Sequence, residues 1–466
     1  MTILDKTERA ALDLALRPLL HYVGKNPGPN AGKLVGLVDV LSGHSFPRKT
    51  MEAFRTGAQD RSNNWTQFAA RALNEIDRGM LRRLLLSLGL GIAKGTQLVR
   101  KNREKYQCNI PFQILFDPTS ACNLHCKGCW AGEYEHKNSL SFDEMDAIVT
   151  QGAALGTRVY MLTGGEPLIR KDDILALAQK HRNCTFLAYT NATLIDQALC
   201  RATKALGNVV FAISLEGFEE SNDARRGKGA YAKSMEAIEM LRRERCLFGV
   251  SVCYTSENID AVTSDEFVDG LIAKGAMFGF YFHYMPLGKH AAPELLPTAA
   301  QREHVYRWMR QIRSAHGGKP IFLMDFQNDG EYVGGCIAGG RNYFHINAAG
   351  DMEPCVFIHY SDSNIRQHTL LEALKRPLFQ AYYHGQPFND NHLRPCPMLE
   401  NPDYLRRMVA ATGAVSTDLM APEDVNDLCA KCDRYAADWA GAAERIWREK
   451  ERAKPKTQYY RDRAEK

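Results

Sequence analysis

Short apolar runs recur along the middle of the chain, and each is followed by a loop and a stretch with helical spacing. Six runs are separated by roughly 25–45 residues. They are Phe112–Phe116, Val159–Leu162, Thr185–Tyr189, Val209–Ile213, Leu247–Val252 and Met277–Phe282. Because their apolar character is nearly continuous, we expect strands buried on both faces of a parallel sheet. Such a sheet curls into an open or partial barrel, with any site at the carboxyl ends of its strands.

The chain on either side of this repeat has a different pattern. Helical spacing predicts three helices before the repeat. They are Glu8–Tyr22, Leu34–Leu41 and Asn64–Ser87. After Pro286 the repeat stops, and a further helix is expected near Gln301–Ser314. From Pro320 to Tyr435 the chain is rich in loops and holds five of the 13 cysteines, so something other than a large core is expected to hold it together.

These patterns predict an α/β fold in four parts. They are a helical region over 1–107, a partial (βα)6 TIM-like barrel over 108–318, a small cysteine-rich domain over 319–440 and a basic helical tail over 441–466.

Composition and charge exclude several classes of protein. With 45% hydrophobic and 24% charged residues, the chain has the composition of an ordinary globular protein. The net charge is +5, and residues 443–466 carry most of it, with nine Lys or Arg against five Asp or Glu. The nearly neutral body argues against a nucleic-acid-binding protein. The N-terminal residues lack a signal-peptide pattern, and the longest mainly apolar run, Leu84–Ala93, is too short to span a membrane, so we expect a cytoplasmic protein.

Three cysteines form a motif directly after the first predicted strand. The motif is Cys122-Asn-Leu-His-Cys126-Lys-Gly-Cys129. Three thiolates on one loop can hold three irons of a [4Fe-4S] cluster and leave the fourth iron open to a substrate or cofactor. The alternative is a zinc site, although tetrahedral zinc favours paired CxxC spacings and four protein ligands.

A second motif, Thr163-Gly-Gly-Glu-Pro167, follows the second predicted strand. Together with the three-cysteine motif, it resembles the radical S-adenosylmethionine (radical SAM) superfamily. The resemblance covers residues 112–282 and implies that the open iron chelates S-adenosylmethionine. It also implies that a reduced cluster cleaves this cofactor to a 5'-deoxyadenosyl radical, which abstracts hydrogen from a substrate. Gly164 and Gly165 would let the backbone approach the ligand, and Glu166 would accept from its ammonium group.

Other segments resemble cofactor-binding loops of the same family. Thr190-Asn-Ala192 ends the third strand, with Ala192 where the family often has glycine. Ser214-Leu-Glu-Gly217 ends the fourth strand, with Glu216 in place of aspartate. Asp223-Ala-Arg-Arg-Gly227 matches a following motif, although its two arginines could also be a solvated pair. The resemblance implies that the cofactor contacts include Asn191, Ser214, Glu216, Arg226 and Ser251.

The C-terminal cysteines resemble the SPASM or twitch extension of the superfamily, which binds an auxiliary [4Fe-4S] cluster. Gly350-Asp-Met-Glu-Pro-Cys355 matches its GxxxxC hairpin, and Cys429-Ala-Lys-Cys432 its later CxxC. The expected ligands of a single auxiliary cluster are Cys336, Cys355, Cys429 and Cys432. Cys396 is either a spare thiol or a replacement for one of these ligands, and a structural zinc is the alternative because four thiolates suit both metals. The remaining cysteines are expected to be structural: Cys108, Cys184, Cys200, Cys246 and Cys253.

The resemblance implies a reducing partner such as flavodoxin or ferredoxin, and a peptide, a protein or a lipid chain as substrate. The lipid interpretation depends on the basic, apolar-faced segment Met80–Lys105, which could lie on an anionic membrane surface as a peripheral contact. The alternative is a helix packed on the barrel through Leu84, Leu85, Leu88 and Ile92.

Substrate-facing side chains are expected at the end of the sixth strand and in a polar loop before Cys336, but none is assigned a catalytic role. They are Tyr281, His283, Tyr284, Asp325, Asn328 and Asp329. A different class of function, a non-catalytic iron-sulfur protein that transfers electrons or holds clusters, would need all four irons ligated, and the three-cysteine motif argues against it.

Overall fold

The computed structural model describes residues 12–14, 16–23, 36, 57, 60–132, 134, 136–288 and 291–453. The described residues between 12 and 23 are helical, as expected for Glu8–Tyr22. Apart from residue 36, the predicted helix Leu34–Leu41 lies outside the described residues, as does the end of the basic tail from 454 to 466.

The region before the barrel is helical, as predicted. It contains α1 (Asn64–Glu75), α2 (Arg78–Leu85), a π-helical turn (Leu86–Leu90) and α3 (Gly91–Tyr106). The single helix predicted over Asn64–Ser87 is divided at residues 76–77, because the Asp77 carboxylate accepts the Met80 backbone N–H at 2.9 Å and starts a new helix.

All six predicted strands are present, and the structure adds a seventh parallel strand. The strands are β1 (Gln113–Thr119), β2 (Val159–Gly164), β3 (Thr185–Thr190), β4 (Val209–Ser214), β5 (Phe248–Tyr254), β6 (Phe278–His283) and β7 (Phe322–Asp325). Each pairs in parallel with the next. The sequence pattern missed β7 because it has four residues and lies beyond the point where the repeat was expected to stop.

The sheet continues past β1 into the C-terminal region. Strand β8 (His345–Ile346) pairs in parallel with β1, and β9 (Met352–Glu353) pairs antiparallel with β8. The nine strands therefore have the order β7-β6-β5-β4-β3-β2-β1-β8-β9, so the cysteine-rich region is joined to the barrel by backbone hydrogen bonds. The predicted boundaries between the four parts stay predictions.

Helices cover the outer face of the barrel sheet. They are α4 (Phe142–Leu155), α5 (Lys171–Lys180), α6 (Gln197–Leu206), α7 (Glu219–Arg226), α8 (Ala230–Arg243), α9 (Ile259–Val262), α10 (Asp265–Ala273) and α11 (Ala299–Ile312). The C-terminal region adds α12 (Gly330–Val333), β10 (Tyr360–Ser361), α13 (Leu370–Ala373), α14 (Pro377–Gly385), α15 (Pro402–Thr412), β11 (Val415–Ser416) and α16 (Val425–Ala453).

Side chains of β1 alternate between two apolar clusters, as the pleat of a strand requires. Ile114 and Phe116 pack with the helices of the outer layer. Leu115 belongs instead to the cluster of the C-terminal region. The barrel interior and the C-terminal region therefore share apolar packing at this strand.

The basic segment Met80–Lys105 packs against the barrel. Leu84 is buried with Leu187, Val210 and Ala212, at the inner surface of the sheet, and Leu88 packs beside them. For Leu84 and Leu88 this is the arrangement that the barrel-packing alternative predicted, and it uses the apolar face that a lipid surface would need. Leu85 packs instead with Leu20, Val23 and Leu73 of the helices before the barrel. The side chain of Ile92 lies outside the described residues, and no helix among the described residues is long and apolar enough to cross a membrane. Peripheral membrane contact stays an untested prediction.

Replacing Leu84 by alanine should lower the free energy of unfolding by about 2–5 kcal/mol, because it leaves a cavity in this apolar cluster. Leu419, whose side chain is 48% exposed, provides the control, and Leu419→Ala should change the stability little. Chemical denaturation measures both. Equal, small effects of the two substitutions would show that Leu84 does not pack in the barrel.

Candidate active site

The loop that carries the first three cysteines is joined directly to the loop after β2. The Gly165 N–H donates to the Thr119 carbonyl at 3.0 Å, and the Glu166 N–H donates to the Ala121 carbonyl at 2.8 Å. A Cβ at Gly165 would overlap the carbonyl group of Ala121, so only glycine allows this approach. The two motifs singled out in the sequence are therefore in backbone contact.

The three thiols of this loop lie in a partly buried setting. The Leu124 N–H donates to Cys122 Sγ at 3.5 Å, and Arg226 Nη1 lies 3.9 Å from Cys126 Sγ. Burial raises the pKa of Cys122 to about 11 and also raises the pKa of Cys129. Metal binding would offset this cost because a coordinated thiol is deprotonated.

These thiols suit a cluster better than a single ion. Among the described residues, no three His, Cys, Asp or Glu side chains are grouped around a position for one metal ion. A cubane differs from such a site because each thiolate binds a separate iron. Three cysteines on one loop, with an amide donor and a guanidinium beside them, fit its requirements.

Glu166 lies at the centre of a network that joins β2 to β3. Its carboxylate accepts from the Thr190 hydroxyl at 2.6 Å, the Asn191 N–H at 2.8 Å and the Leu168 N–H at 3.0 Å. Burial raises the pKa of this carboxyl group above its usual range. A carboxylate has about four acceptor positions, so one remains for the cofactor ammonium group expected from the sequence.

Glu216 and the two arginines form a compact ion group rather than a set of free ligands. Glu216 Oε1 accepts from Arg225 Nη1 at 2.8 Å and from Arg226 Nη2 at 2.6 Å, and Oε2 accepts from the Cys253 N–H at 3.2 Å. The arginine side chains are only 13% exposed, so the alternative of a solvated pair is wrong. The group places positive charge beside Cys126, and its role in cofactor binding stays a prediction.

The other predicted cofactor contacts lie at strand ends near this group. Asn191 Nδ2 donates to Asn123 Oδ1 at 2.8 Å, which ties the end of β3 to the cysteine loop. Ser214 and Ser251 are register partners on β4 and β5, and both are half-buried. Cys253 follows Ser251 on β5 and lies near Arg225 and Cys129, so it is beside the site. The other cysteines that were expected to be structural are buried: Cys108, Cys184, Cys200 and Cys246.

An aromatic wall extends from the barrel interior into the C-terminal region. It consists of Tyr189, Phe280, Phe282, Phe326 and Phe357. Neighbouring rings in this wall have centroids between 5.5 and 6.4 Å apart. These residues give no signal of a site in the sequence, because aromatic residues in strands usually belong to the core.

The expected substrate-facing residues at the end of β6 are engaged in packing. Tyr281 belongs to the outer apolar layer, and its hydroxyl donates to the Val262 carbonyl at 2.8 Å. His283 Nε2 lies 2.6 Å from the Tyr435 hydroxyl, and the Tyr284 hydroxyl accepts from the Ala292 N–H at 2.9 Å. These contacts hold all three side chains in place.

The polar loop after β7 is also internally bonded. Asp325 accepts from the Asn328 side chain at 2.8 Å and from the Tyr254 hydroxyl at 3.3 Å, and burial raises its pKa to about 6. Asp329 pairs with Arg313 at 2.7 Å. Asp325 and Asp329 nevertheless line the cavity described next.

A cavity of about 90 Å³ brings three C-terminal cysteines together. Cys336, Cys355 and Cys396 all line it. The Phe357 N–H donates to Cys355 Sγ at 3.4 Å, and the Met398 and Leu399 N–H groups donate to Cys396 Sγ at 3.4 Å. Amide donors of this kind stabilise thiolates and iron-bound sulfur.

The CxxC pair lies on α16 and does not line this cavity. Both thiols are buried, and Cys429 Sγ contacts the Pro402 carbonyl at 3.5 Å. Burial raises the pKa of Cys355 to about 12 and that of Cys336 to about 11. The structure thus gathers Cys336, Cys355 and Cys396, whereas the four-cysteine set expected from the sequence stays a prediction.

Replacing Gly165 by alanine should displace the cysteine loop, because the new Cβ would overlap the backbone of Ala121. We expect the variant to hold fewer than about four irons at the first site after anaerobic reconstitution. Gly270→Ala is the matched control, since its Cβ would meet nothing within 4 Å. Iron analysis and visible absorbance compare the variants, and a normal iron content in Gly165→Ala would contradict the tight approach of the two loops.

Comparison with known proteins gives concordant results. Residues 116–265 match the model of the radical SAM superfamily. Fe-coproporphyrin III synthase of Methanosarcina barkeri is 31% identical over 229 residues, which cover 47% of this chain and 57% of that protein. AdoMet-dependent heme synthase of Nitratidesulfovibrio vulgaris is 26% identical over 314 residues, or 61% and 84% of the two chains. Mycofactocin maturase MftC of Mycolicibacterium smegmatis is 28% identical over 290 residues, or 57% and 73%.

A solved structure shares the fold. Streptococcus suis SuiB bound to S-adenosylmethionine superposes with a TM-score of 0.52 and 17% sequence identity, over 66% of this chain and 78% of SuiB. The residues that match the family model include the first three cysteines, the Gly164–Glu166 loop and the ends of β3 and β4. The chain therefore carries a radical SAM domain over residues 116–265, and the proteins that it resembles include enzymes of that superfamily.

Proposed function

We propose that this protein cleaves S-adenosylmethionine at a [4Fe-4S] cluster bound by Cys122, Cys126 and Cys129, and abstracts hydrogen from a substrate in the barrel. The observation that carries the proposal is the backbone contact between the cysteine loop and the Gly164–Glu166 loop. It places three potential iron ligands beside a carboxylate with acceptor capacity at one edge of a parallel sheet, where ligands of such sheets bind.

When bound, the cluster and S-adenosylmethionine would supply the radical chemistry, after reduction by a partner such as flavodoxin or ferredoxin. The chain itself holds the reactants. Arg226, fixed by Glu216, places positive charge 3.9 Å from Cys126 Sγ, which would favour the thiolate form of this ligand. Phe326 and Phe357 of the aromatic wall line the C-terminal cavity, and the rings of the wall would exclude water from the substrate.

We propose an auxiliary [4Fe-4S] cluster bound by Cys336, Cys355 and Cys396, with a fourth ligand from Cys429 or Cys432. The first three line one cavity, and two of them receive amide hydrogen bonds at sulfur. In an oxidative reaction this cluster would accept the electron of the substrate radical.

For the substrate we propose a tetrapyrrole or a similarly flat, largely apolar molecule. Two of the relatives are named as a heme synthase and an Fe-coproporphyrin III synthase, and the aromatic wall suits the faces of a conjugated ring. A peptide side chain is the second candidate, because the chain is also similar to mycofactocin maturase MftC. Incubation with iron coproporphyrin III distinguishes the two: substrate-dependent product formation supports the first, and no binding or turnover rejects it.

Cys126→Ala should abolish formation of 5'-deoxyadenosine from S-adenosylmethionine and dithionite, because only two thiolates remain for the first cluster. Cys184→Ala should retain this activity, because Cys184 is a buried cysteine that is far in the sequence from both groups of proposed cluster ligands. Chromatography of the reaction products measures it. A wild-type rate in Cys126→Ala, or no 5'-deoxyadenosine from the unmodified protein, would favour the non-catalytic iron-sulfur alternative.

Cys396→Ala should remove the auxiliary cluster as completely as Cys355→Ala does. The test is made in a background in which Cys122, Cys126 and Cys129 are alanine, so that the remaining iron, about four per chain, reports on the second site alone. Cys246→Ala, outside the cavity, serves as the control. Retention of the iron in the Cys396 variant would exclude this residue as a ligand, and binding of zinc alone would exclude the auxiliary cluster.

A further inference from the structure

A chain of buried polar side chains connects the loop of the first three cysteines to the hairpin that precedes Cys355. Its members are Asp117 on β1, His345 on β8, Glu353 on β9 and Tyr134 in the cysteine loop. Asp117, His345 and Glu353 are fully buried, and Tyr134 is 4% exposed. Fully buried charges are rare and are tolerated only when they are paired.

His345 occupies the centre of this chain. Its Nε2 lies 2.9 Å from Asp117 Oδ1, and its Nδ1 lies 2.6 Å from Glu353 Oε2. An ionised carboxylate only accepts hydrogen bonds, so between two ionised carboxylates the ring would donate from both nitrogens as an imidazolium. Burial alone would lower the pKa of His345, yet the two carboxylates raise it to about 10.

Glu353 extends the connection to the first cysteine loop. Both of its oxygens lie 3.1 Å from the Tyr134 hydroxyl, and Oε1 also accepts from Asn347 Nδ2 at 3.0 Å and the Thr417 hydroxyl at 2.5 Å. With donors on every side, this carboxylate is held in one orientation.

Aromatic packing reinforces the same connection. Trp130, directly after Cys129, lies with its ring centroid 5.8 Å from that of His345 and 6.0 Å from that of His359. Tyr134 stacks on His359 at 4.7 Å, and His359 Nδ1 lies 2.7 Å from Asp418. The residues that flank both sets of cysteines are thus parts of one packed group.

We propose that His345 is a positioning residue that fixes the auxiliary cysteine hairpin against the first cysteine loop and so sets the separation of the two iron-sulfur sites. The members of this connection support the role because they lie close in the sequence to the proposed cluster ligands. Asp117 is followed by Cys122, Tyr134 follows Cys129, and Glu353 is two residues before Cys355. The inference rests on the proposed function for the identity of these cysteines as ligands.

Hydrogen exchange of the anaerobically reconstituted full-length protein tests this proposal. In His345→Gln, a single amide nitrogen replaces two ring nitrogens that face different carboxylates, and we expect exchange to become at least about tenfold faster in two places. One is the hairpin that contains His345. The other is the stretch 129–134, where the Gly132 N–H donates to the Cys129 carbonyl.

A second variant tests the connection from its Tyr134 end. Tyr134→Phe removes only the hydroxyl that donates to Glu353, and exchange should become faster at Met352, across the connection from the substitution. His181→Gln is the matched control, because it breaks a histidine–carboxylate pair with Asp146 in the outer helices and should alter neither segment.

Transmission across the connection is the decisive result. If either variant speeds exchange only on its own side of the connection, His345 has a local structural role and the proposal is wrong. If His345→Gln does not fold, the result for Tyr134→Phe alone decides whether the proposal holds. Iron analysis of the unmodified, reconstituted protein tests the proposed function separately. About eight irons per chain would agree with two clusters, and about four would show that the auxiliary cluster is absent.

Discussion

Two backbone hydrogen bonds between the loop after β1 and the loop after β2 are the constraint on which the candidate site depends. They are possible because parallel strands bring their carboxyl ends to one edge, and because Gly165 has no side chain to separate the loops. Glu166 then joins the second loop to β3, and Asn191 returns a hydrogen bond to Asn123 in the cysteine loop. The three thiols are thus positioned by three successive strand ends.

Buried charged side chains also flank the cysteine loop. Glu216 holds Arg225 and Arg226 on one side of the cysteine loop, and His345 lies between two carboxylates on the other. A charge buried in this way is stable only with its partner in place, so each pair fixes the geometry of the elements that carry it. The thiols themselves are costly to ionise in these surroundings, which favours their binding to metal over their remaining free thiolates.

Much of the fold could be predicted from local sequence, because the six apolar runs and the glycine and cysteine motifs act over a few residues. Strand β7 was missed because four residues carry too little pattern, and α2 was joined to α1 because a single capping aspartate separates them. The contacts of Glu216 depend on how α7 turns Arg225 and Arg226 back towards it. The clustering of Cys396 with Cys336 and Cys355 depends on side chains far apart in the chain. His345 gave no signal because its two carboxylate partners come from different strands.

The most direct test of this account is electron paramagnetic resonance of the reduced, reconstituted protein during titration with S-adenosylmethionine. The open-iron site predicts that the signal of one [4Fe-4S] cluster changes on addition of the cofactor, while a second, fully ligated cluster keeps its signal. Iron-sulfur signals that are all unaffected by S-adenosylmethionine, or a protein that binds only zinc, would contradict it.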